Sequence, residues 1–293
     1  MSKQPNGFQH SEIGALTQEQ MSYGDYLSLD ILLSAQRPRS PAHDEFLFVI
    51  QHQVTELWMK LVIIELGAAI RYVREDKIRR ATKVLVRVAR IIEQMNNAWD
   101  VMRTMTPDEF IQFREYLEQS SGFQSYQYRT IEFMAGNRSA ALLHPHNPRP
   151  DIRSQLEAVL ETPSLYDEVL LMLARRGFDI GPDATRMSWR EKRTPNDQVL
   201  ASWQAVYASP EQNWSLYEFA ERLVDVEDYL RRWRFNHLTT VERIIGMKIG
   251  TGNSVGAPYL RRMLDVVLFA ELWNLRTTIG EKNFRYGQEP GAG

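Results

Sequence analysis

From the capping-box sequence Ser209-Pro210-Glu211-Gln212 onward, apolar side chains recur at spacings of three or four: Leu216, Phe219, Leu223, Val226, Leu230, Trp233, then His237, Val241 and Ile244. A stripe of that length commits the segment to one long amphipathic helix with a buried face. His237 occupies a core position on it. A second firm helix spans about 42–72, where Leu47, Ile50, Val54, Leu57, Leu61 and Ile64 form the apolar stripe. Beside it runs a second row of Phe48, His52, Thr55, Met59 and Val62, so this helix is expected to meet neighbours over a wide arc.

Helical periodicity also covers about Asp76–Arg103. Thr106-Pro107-Asp108-Glu109 starts a short helix running through Leu117, Thr194-Pro195-Asn196-Asp197 gives a third start, and Pro258–Arg276 reads as helix. Alternating apolar runs and Asn-Gly hairpins are nearly absent. The chain therefore reads as all-α, a helical bundle. Across its 293 residues there is no internal repeat and no low-complexity linker, which favours a single domain. An N-terminal arm of about 1–40 and a less regular insertion at about 140–195 complete the organisation.

Composition narrows the chemistry. The chain has no cysteine, so disulfides, zinc–thiolate sites and iron–sulfur clusters are excluded. A formal charge of -2 gives no general reason to bind nucleic acid or an anionic membrane. The N-terminal sequence lacks an apolar signal core, and the longest apolar run carries Glu65; a cytoplasmic location is expected.

Six histidines remain to be weighed. His10 lies in a polar segment, His43 near a helix start, and His144 and His146 in a proline-rich stretch expected at the surface. Neither HExxH nor ExxH occurs, which removes the common helical zinc and di-iron sites. His52 and His237 sit on apolar helical faces. A lone core histidine is ordinarily one satisfied by a hydrogen bond. Two of them, on separate apolar helices of a cysteine-free chain, suit a haem: one as iron ligand, the other as a hydrogen-bonding wall. Periodicity does not say which is which.

Arg114 projects among Phe110, Phe113 and Leu117, where it would pair with an internal carboxylate or clamp a substrate carboxylate. Ser121 and Gly122 are small enough for close backbone approach to a ligand. Gly250–Gly256 (GTGNSVG) lacks the spacing and the preceding strand of a phosphate loop; it reads as a connector or as a loop closing over a ligand.

Four long segments carry a resemblance: YGDYLSLDILLSAQ (23–36), HDEFLFVIQHQVTELWMKL (43–61), FREYLEQSSGFQSYQYR (113–129) and WRFNHLTTVERIIGMKIGTGNSVG (233–256). In this order they resemble the tryptophan 2,3-dioxygenase family. The resemblance implies a haem pocket between helices, holding haem b that is ferrous when active. Both atoms of O2 would be inserted across the indole C2–C3 bond of L-tryptophan, giving N-formylkynurenine, the first step of tryptophan catabolism by the kynurenine route. It further implies His237 as axial ligand, His52 facing the indole N–H, and Phe48 and Phe110 packing on indole or haem. Arg114 would bind the substrate carboxylate, Thr251 the zwitterionic head, and Ser121 and Gly122 the cofactor. Tyr23 and Tyr26 match a segment that reaches a neighbouring subunit's site, which implies a homotetramer built as a dimer of dimers. The rival reading is a helical electron carrier or redox sensor with both His52 and His237 on the iron; it leaves Arg114 without a purpose.

Overall fold

The computed structural model describes residues 21–182, 188–248, 250 and 256–279. Residues 1–38 and 39–293 form two units. In the first, α1 (Tyr23–Leu27) and α2 (Leu29–Leu33) are short helices. Ser22 caps α1 by accepting from the Asp25 amide at 3.1 Å, and Ser28, at φ 52°, makes the turn between them. Tyr23 and Tyr26 are 75% and 76% exposed.

The second unit is built on three long helices: α3 (Glu45–Arg74), α4 (Ile78–Met102) and, much later in the chain, α10 (Trp214–Ile244). Between α3 and α4, Asp76 takes φ 56° and the Lys77 amide donates to the Tyr72 carbonyl at 2.8 Å, a reversal that sets the two helices antiparallel. Contacts between α4 and α10 rise together in sequence, with Arg90 on Tyr229, Asn96 on Asn236 and Arg103 on Thr240. Those two helices are therefore parallel. The start of α3 and the ends of α4 and α10 meet at one end of the bundle. At the other end the core closes on Val73, Leu85, Phe219 and Leu223, each fully buried. Burying a side chain of that size stabilises the fold by about 1.5–3 kcal/mol.

Around this frame stand α5 (Pro107–Arg114), α6 (Tyr126–Ala135), α7 (Pro150–Leu160), α8 (Leu165–Arg175), α9 (Asp197–Ala208), α11 (Ala257–Met263) and α12 (Ala270–Thr278). No strand occurs among the described residues, as the all-α reading requires. At the Thr106 start, the backbone amide of Thr106 donates to Glu109 at 2.7 Å.

Several local expectations are corrected. Ser209-Pro210 does not open the long helix: the Ser209 carbonyl accepts from Asn213 in a turn, and α10 begins at Trp214. At the third start the cap is Asn196, whose side chain accepts from the Val199 amide at 2.7 Å. The stretch 258–276 is two helices, because the fully buried Glu227 carboxylate accepts from the Leu268 and Phe269 amides at 2.7 and 2.8 Å and caps a new start there. Span 140–195 holds a 3-10 segment, α7 and α8, and α8 is largely buried. On α3 the row continuing through Met59, Val62, Leu66 and Ala69 faces the core, while Ile50, Val54, Leu57 and Ile64 are 38–58% exposed.

Candidate functional site

At the end of the bundle where α3, α4 and α10 meet, a cavity of about 230 Å³ opens between them. Its two facing walls carry the two histidines singled out by periodicity.

His52 projects from α3. Its Nδ1 lies 2.7 Å from the Phe48 carbonyl, an obligate acceptor, so Nδ1 carries the proton and donates. The imidazole is enclosed by protein yet remains accessible, because it borders the cavity. Burial holds its pKa below the ordinary value, with the Phe48 hydrogen bond and Glu56 pulling the other way. The neutral ring thus presents Nε2 as a bare acceptor. Phe48 packs on the same ring at 4.2 Å between centroids, with Phe110 6.1 Å from Phe48.

His237 projects from α10 and is half-buried. Trp99 of α4 stacks on it at 5.0 Å and 14°, and Trp233 leans against it at 5.4 Å and 48°. Burial first, then the facing His52, pulls its pKa down to about 4. Two neutral imidazoles therefore face one apolar space at neutral pH.

The polar part of the lining is a buried ionic cluster. Arg129 pairs with Glu132, Arg234 Nη2 reaches the same carboxylate at 3.4 Å, and Arg234 Nε donates to the Tyr128 hydroxyl at 3.1 Å. Burial, then Glu132, pushes the Tyr128 hydroxyl up to about 12, so it stays protonated. Two guanidiniums share one carboxylate, and Trp99 Nε1, Trp233 Nε1 and Arg129 Nε have no acceptor among the described residues. The lining thus carries the Arg129 and Arg234 guanidiniums, with the Glu56 carboxylate also on the wall, and buried N–H groups are left to be satisfied. A flat apolar group with an anionic edge and an iron open to imidazole fits such a lining, and haem has each of those properties.

Ser121 and Gly122 also line the cavity. A methyl added at Gly122 would meet no atom of the described residues within 4 Å. Gly250 and Gly256 border the cavity as well; Gly256, at φ 63°, would bring a Cβ to 3.1 Å from the Lys248 carbonyl, so glycine is required there. Thr251 lies outside the described residues. Arg114 ends α5 half-buried and is not among the side chains on the cavity wall, although Phe110, one turn earlier, is. Tyr23 and Tyr26 belong to the N-terminal unit. His146, expected at the surface, is 3% exposed; burial, then Arg129, lowers its pKa, and its Nε2 has no partner among the described residues.

Trp99, Tyr128, Arg129 and Arg234 were not singled out by sequence. Arg129 and Glu132 stand three apart on α6, a visible ion-pair spacing, but nothing local indicates that Arg234 joins them from α10.

The family profile described as tryptophan 2,3-dioxygenase matches residues 9–205 and 187–279. Relatives bearing the name tryptophan 2,3-dioxygenase are similar over most of their length. One from a Bradyrhizobium species is 60% identical over 257 residues, which are 88% of this chain and 92% of that one. One from Burkholderia multivorans is 58% identical over 259 residues, 88% of this chain and 84% of its own. Another, from Burkholderia pseudomallei, is 58% identical over 261 residues, 89% and 85% of the two chains.

Proposed function

The chain belongs to the tryptophan 2,3-dioxygenase family, and from that premise we propose how its residues divide the work of the reaction. It is a haem-dependent dioxygenase that inserts O2 across the indole C2–C3 bond of L-tryptophan to give N-formylkynurenine. The observation that carries the proposed roles is the pair of neutral imidazoles, from α3 and α10, on opposite walls of one apolar cavity.

When bound, haem supplies the iron at which O2 is activated. The group is proposed to be haem b, ferrous in the active form. His237 holds the iron: its low pKa keeps the nitrogen lone pair free at neutral pH, and the Trp99 stack restrains the ring plane. Arg129 and Arg234, both on the cavity wall, supply guanidinium charge for the anionic edge. Ser121 and Gly122 give that edge room.

His52 accepts the indole N–H through Nε2. The donor role of Nδ1 toward Phe48 fixes the tautomer this requires, and His52 is read as positioning the ring. Phe48 and Phe110 present flat apolar faces for the indole. Arg114 and Thr251 are proposed to bind the carboxylate and ammonium of the substrate, on the resemblance of their segments. Fixing that head places C2 and C3 at the reacting position.

A homotetramer arranged as a dimer of dimers is proposed, with Tyr23 and Tyr26 reaching a neighbour's site. Supporting it, the N-terminal unit exposes Ile31 and Leu33 at 75% and 70%, and α3 exposes a continuous apolar row. Helix α3 is long and apolar enough to cross a membrane by length and composition, but it carries His52 and packs along α4. A cytoplasmic, membrane-free enzyme without a nucleic-acid partner is the reading we adopt.

The test is reconstitution with haem under reducing conditions, followed by L-tryptophan and air, reading N-formylkynurenine absorbance. Absence of product overturns the activity. A six-coordinate low-spin ferrous spectrum would instead favour two histidines on the iron and an electron-transfer role.

A further inference from the structure

On α4, Asn96, Trp99 and Arg103 stand three and four residues apart and therefore share one face. Each of the three reaches α10, although Asn96 also donates to the Ile92 carbonyl and Arg103 Nη1 lies 3.4 Å from Asp100 on α4 itself. The Asn96 amide donates to the Tyr229 carbonyl at 3.1 Å, and its Oδ1 accepts from Asn236 Nδ2 at 3.0 Å. Trp99 stacks on the His237 imidazole. Arg103 spreads its guanidinium over a single turn: Nε donates to Thr240 Oγ1 at 3.0 Å, and Nη2 to Thr239 Oγ1 at 2.7 Å and Asn236 Oδ1 at 3.2 Å. Nη2 also lies 3.4 Å from the Asn236 carbonyl. In return, Arg243 Nε donates to the Arg103 carbonyl at 3.2 Å.

The bonded residues flank His237 on both sides, and His237 lines the cavity together with Thr240, further along the same turn. Hydrogen bonds within α10 fix its pitch but not its rotation about its own axis. A planar fork bound to side chains at positions 236, 239 and 240 does fix that rotation. The stack then restrains the remaining freedom, the imidazole's turn about its own side-chain bonds. We infer that the Asn96, Trp99 and Arg103 row of α4 is the positioning element for the axial histidine, with Arg103 setting the orientation of the 236–240 turn and Trp99 the plane of the ring. The inference rests on the reading of His237 as iron ligand.

Lysine at position 103 offers one compact donor group and cannot reproduce the fork, whereas phenylalanine at position 99 preserves the stack. The ferrous holoenzyme of Arg103→Lys, Arg103→Ala, Trp99→Phe and Trp99→Leu is examined by resonance Raman for the iron–histidine stretching band, and by haem transfer to apomyoglobin. Expected is a shifted or broadened band and haem transfer faster by about tenfold or more in Trp99→Leu and Arg103→Ala. Arg103→Lys should fall between these and the parent, and Trp99→Phe should keep a band close to the parent's.

His237→Gly separates the two readings. Loss of the iron–histidine band in that variant upholds the ligand, whereas retention overturns the ligand and the inference with it. Once the ligand is upheld, unchanged bands and transfer rates in Arg103→Ala and Trp99→Leu overturn the positioning role alone. A second measurement guards against general destabilisation. In His237→Gly supplied with free imidazole, the ligand is no longer tethered to α10, so adding Arg103→Ala should leave the iron–imidazole band unmoved. A shift as large as in the tethered protein would mean that Arg103 acts through the fold at large, and would overturn the inference.

Discussion

The two histidine walls are built on opposite principles. His52 is tied by one hydrogen bond, to a carbonyl of its own helix, and keeps an accessible ring beside Phe48. His237 is stacked by Trp99, leaned on by Trp233, and carried on a turn that Arg103 grips through three side chains. A group that must accept a hydrogen bond from an arriving substrate needs one defined tautomer and an open lone pair. One that must hold a metal through turnover needs a fixed direction. The wall facing substrate is therefore sparsely held, and the wall facing iron is held from several sides.

The most severe way to break this contrast is His237→Ala. Haem retention should be largely lost, and turnover should fall by about 100-fold or more, beyond the usual effect of altering a ligand's supporting partners. The Soret absorbance of purified protein and the N-formylkynurenine rate check it. Next is the buried ionic cluster of the lining. Glu132→Gln leaves the buried Arg129 and Arg234 without their carboxylate, and breaking a buried pair in this way costs about 3–5 kcal/mol. Urea unfolding of the haem-free variant should show that loss; a midpoint unchanged from the parent would mean that another anion neutralises the arginines.

Much of this contrast was legible in the sequence, though not its setting. The stripe from Leu216 to Ile244 places His237 on a core face, and the structure keeps it there. Helix α3 was legible as a helix but not in its facing: Ile50, Val54, Leu57 and Ile64 form the more apolar row, yet they point outward. Packing against α4 and α6 selects the Met59, Val62 and Leu66 row, and periodicity alone does not carry that choice. Ser209-Pro210-Glu211-Gln212 satisfies the rules of a helix start but is used as a turn. The break before α12 depends on Glu227, some forty residues earlier in the chain and visible only once the two are folded together. Arg129, Glu132 and Arg234 likewise form a site only in three dimensions.

A smaller effect comes from protons. The folded chain holds the His237 pKa near 4, against an ordinary 6.5. Between those values the unfolded chain binds a proton that the folded chain refuses, so this contribution to stability is complete above 6.5 and is lost as pH falls through the window. The loss for haem-free protein is on the order of 3 kcal/mol, at 1.36 kcal/mol per unit over the roughly 2.5 units between the two values. Urea midpoints across the window should fall with acidity in the parent and fall less in His237→Ala. Smaller again is His52→Ala, which removes the acceptor for the indole N–H but leaves the grip on His237. Turnover should drop by about 10- to 100-fold with the Soret band retained, no more than the smallest contribution of general base catalysis, about 100-fold. Complete loss with haem and tryptophan still bound would make His52 an obligatory base and narrow the difference between the walls.

The mildest change, Phe110→Tyr, tests how open the His52 wall is. Phe110 is 4% exposed, borders the cavity, and packs with Met102 and Met105. A hydroxyl directed into the cavity would be solvated or would meet substrate, leaving turnover within about threefold and the melting temperature unchanged. Directed back among the methionines it would be buried without a partner, at a cost of about 1–3 kcal/mol visible as a lower melting temperature. The place of Phe110 on the cavity wall favours the first outcome. Thermal melts of the haem-free variant, set beside its steady-state kinetics, distinguish the two directions.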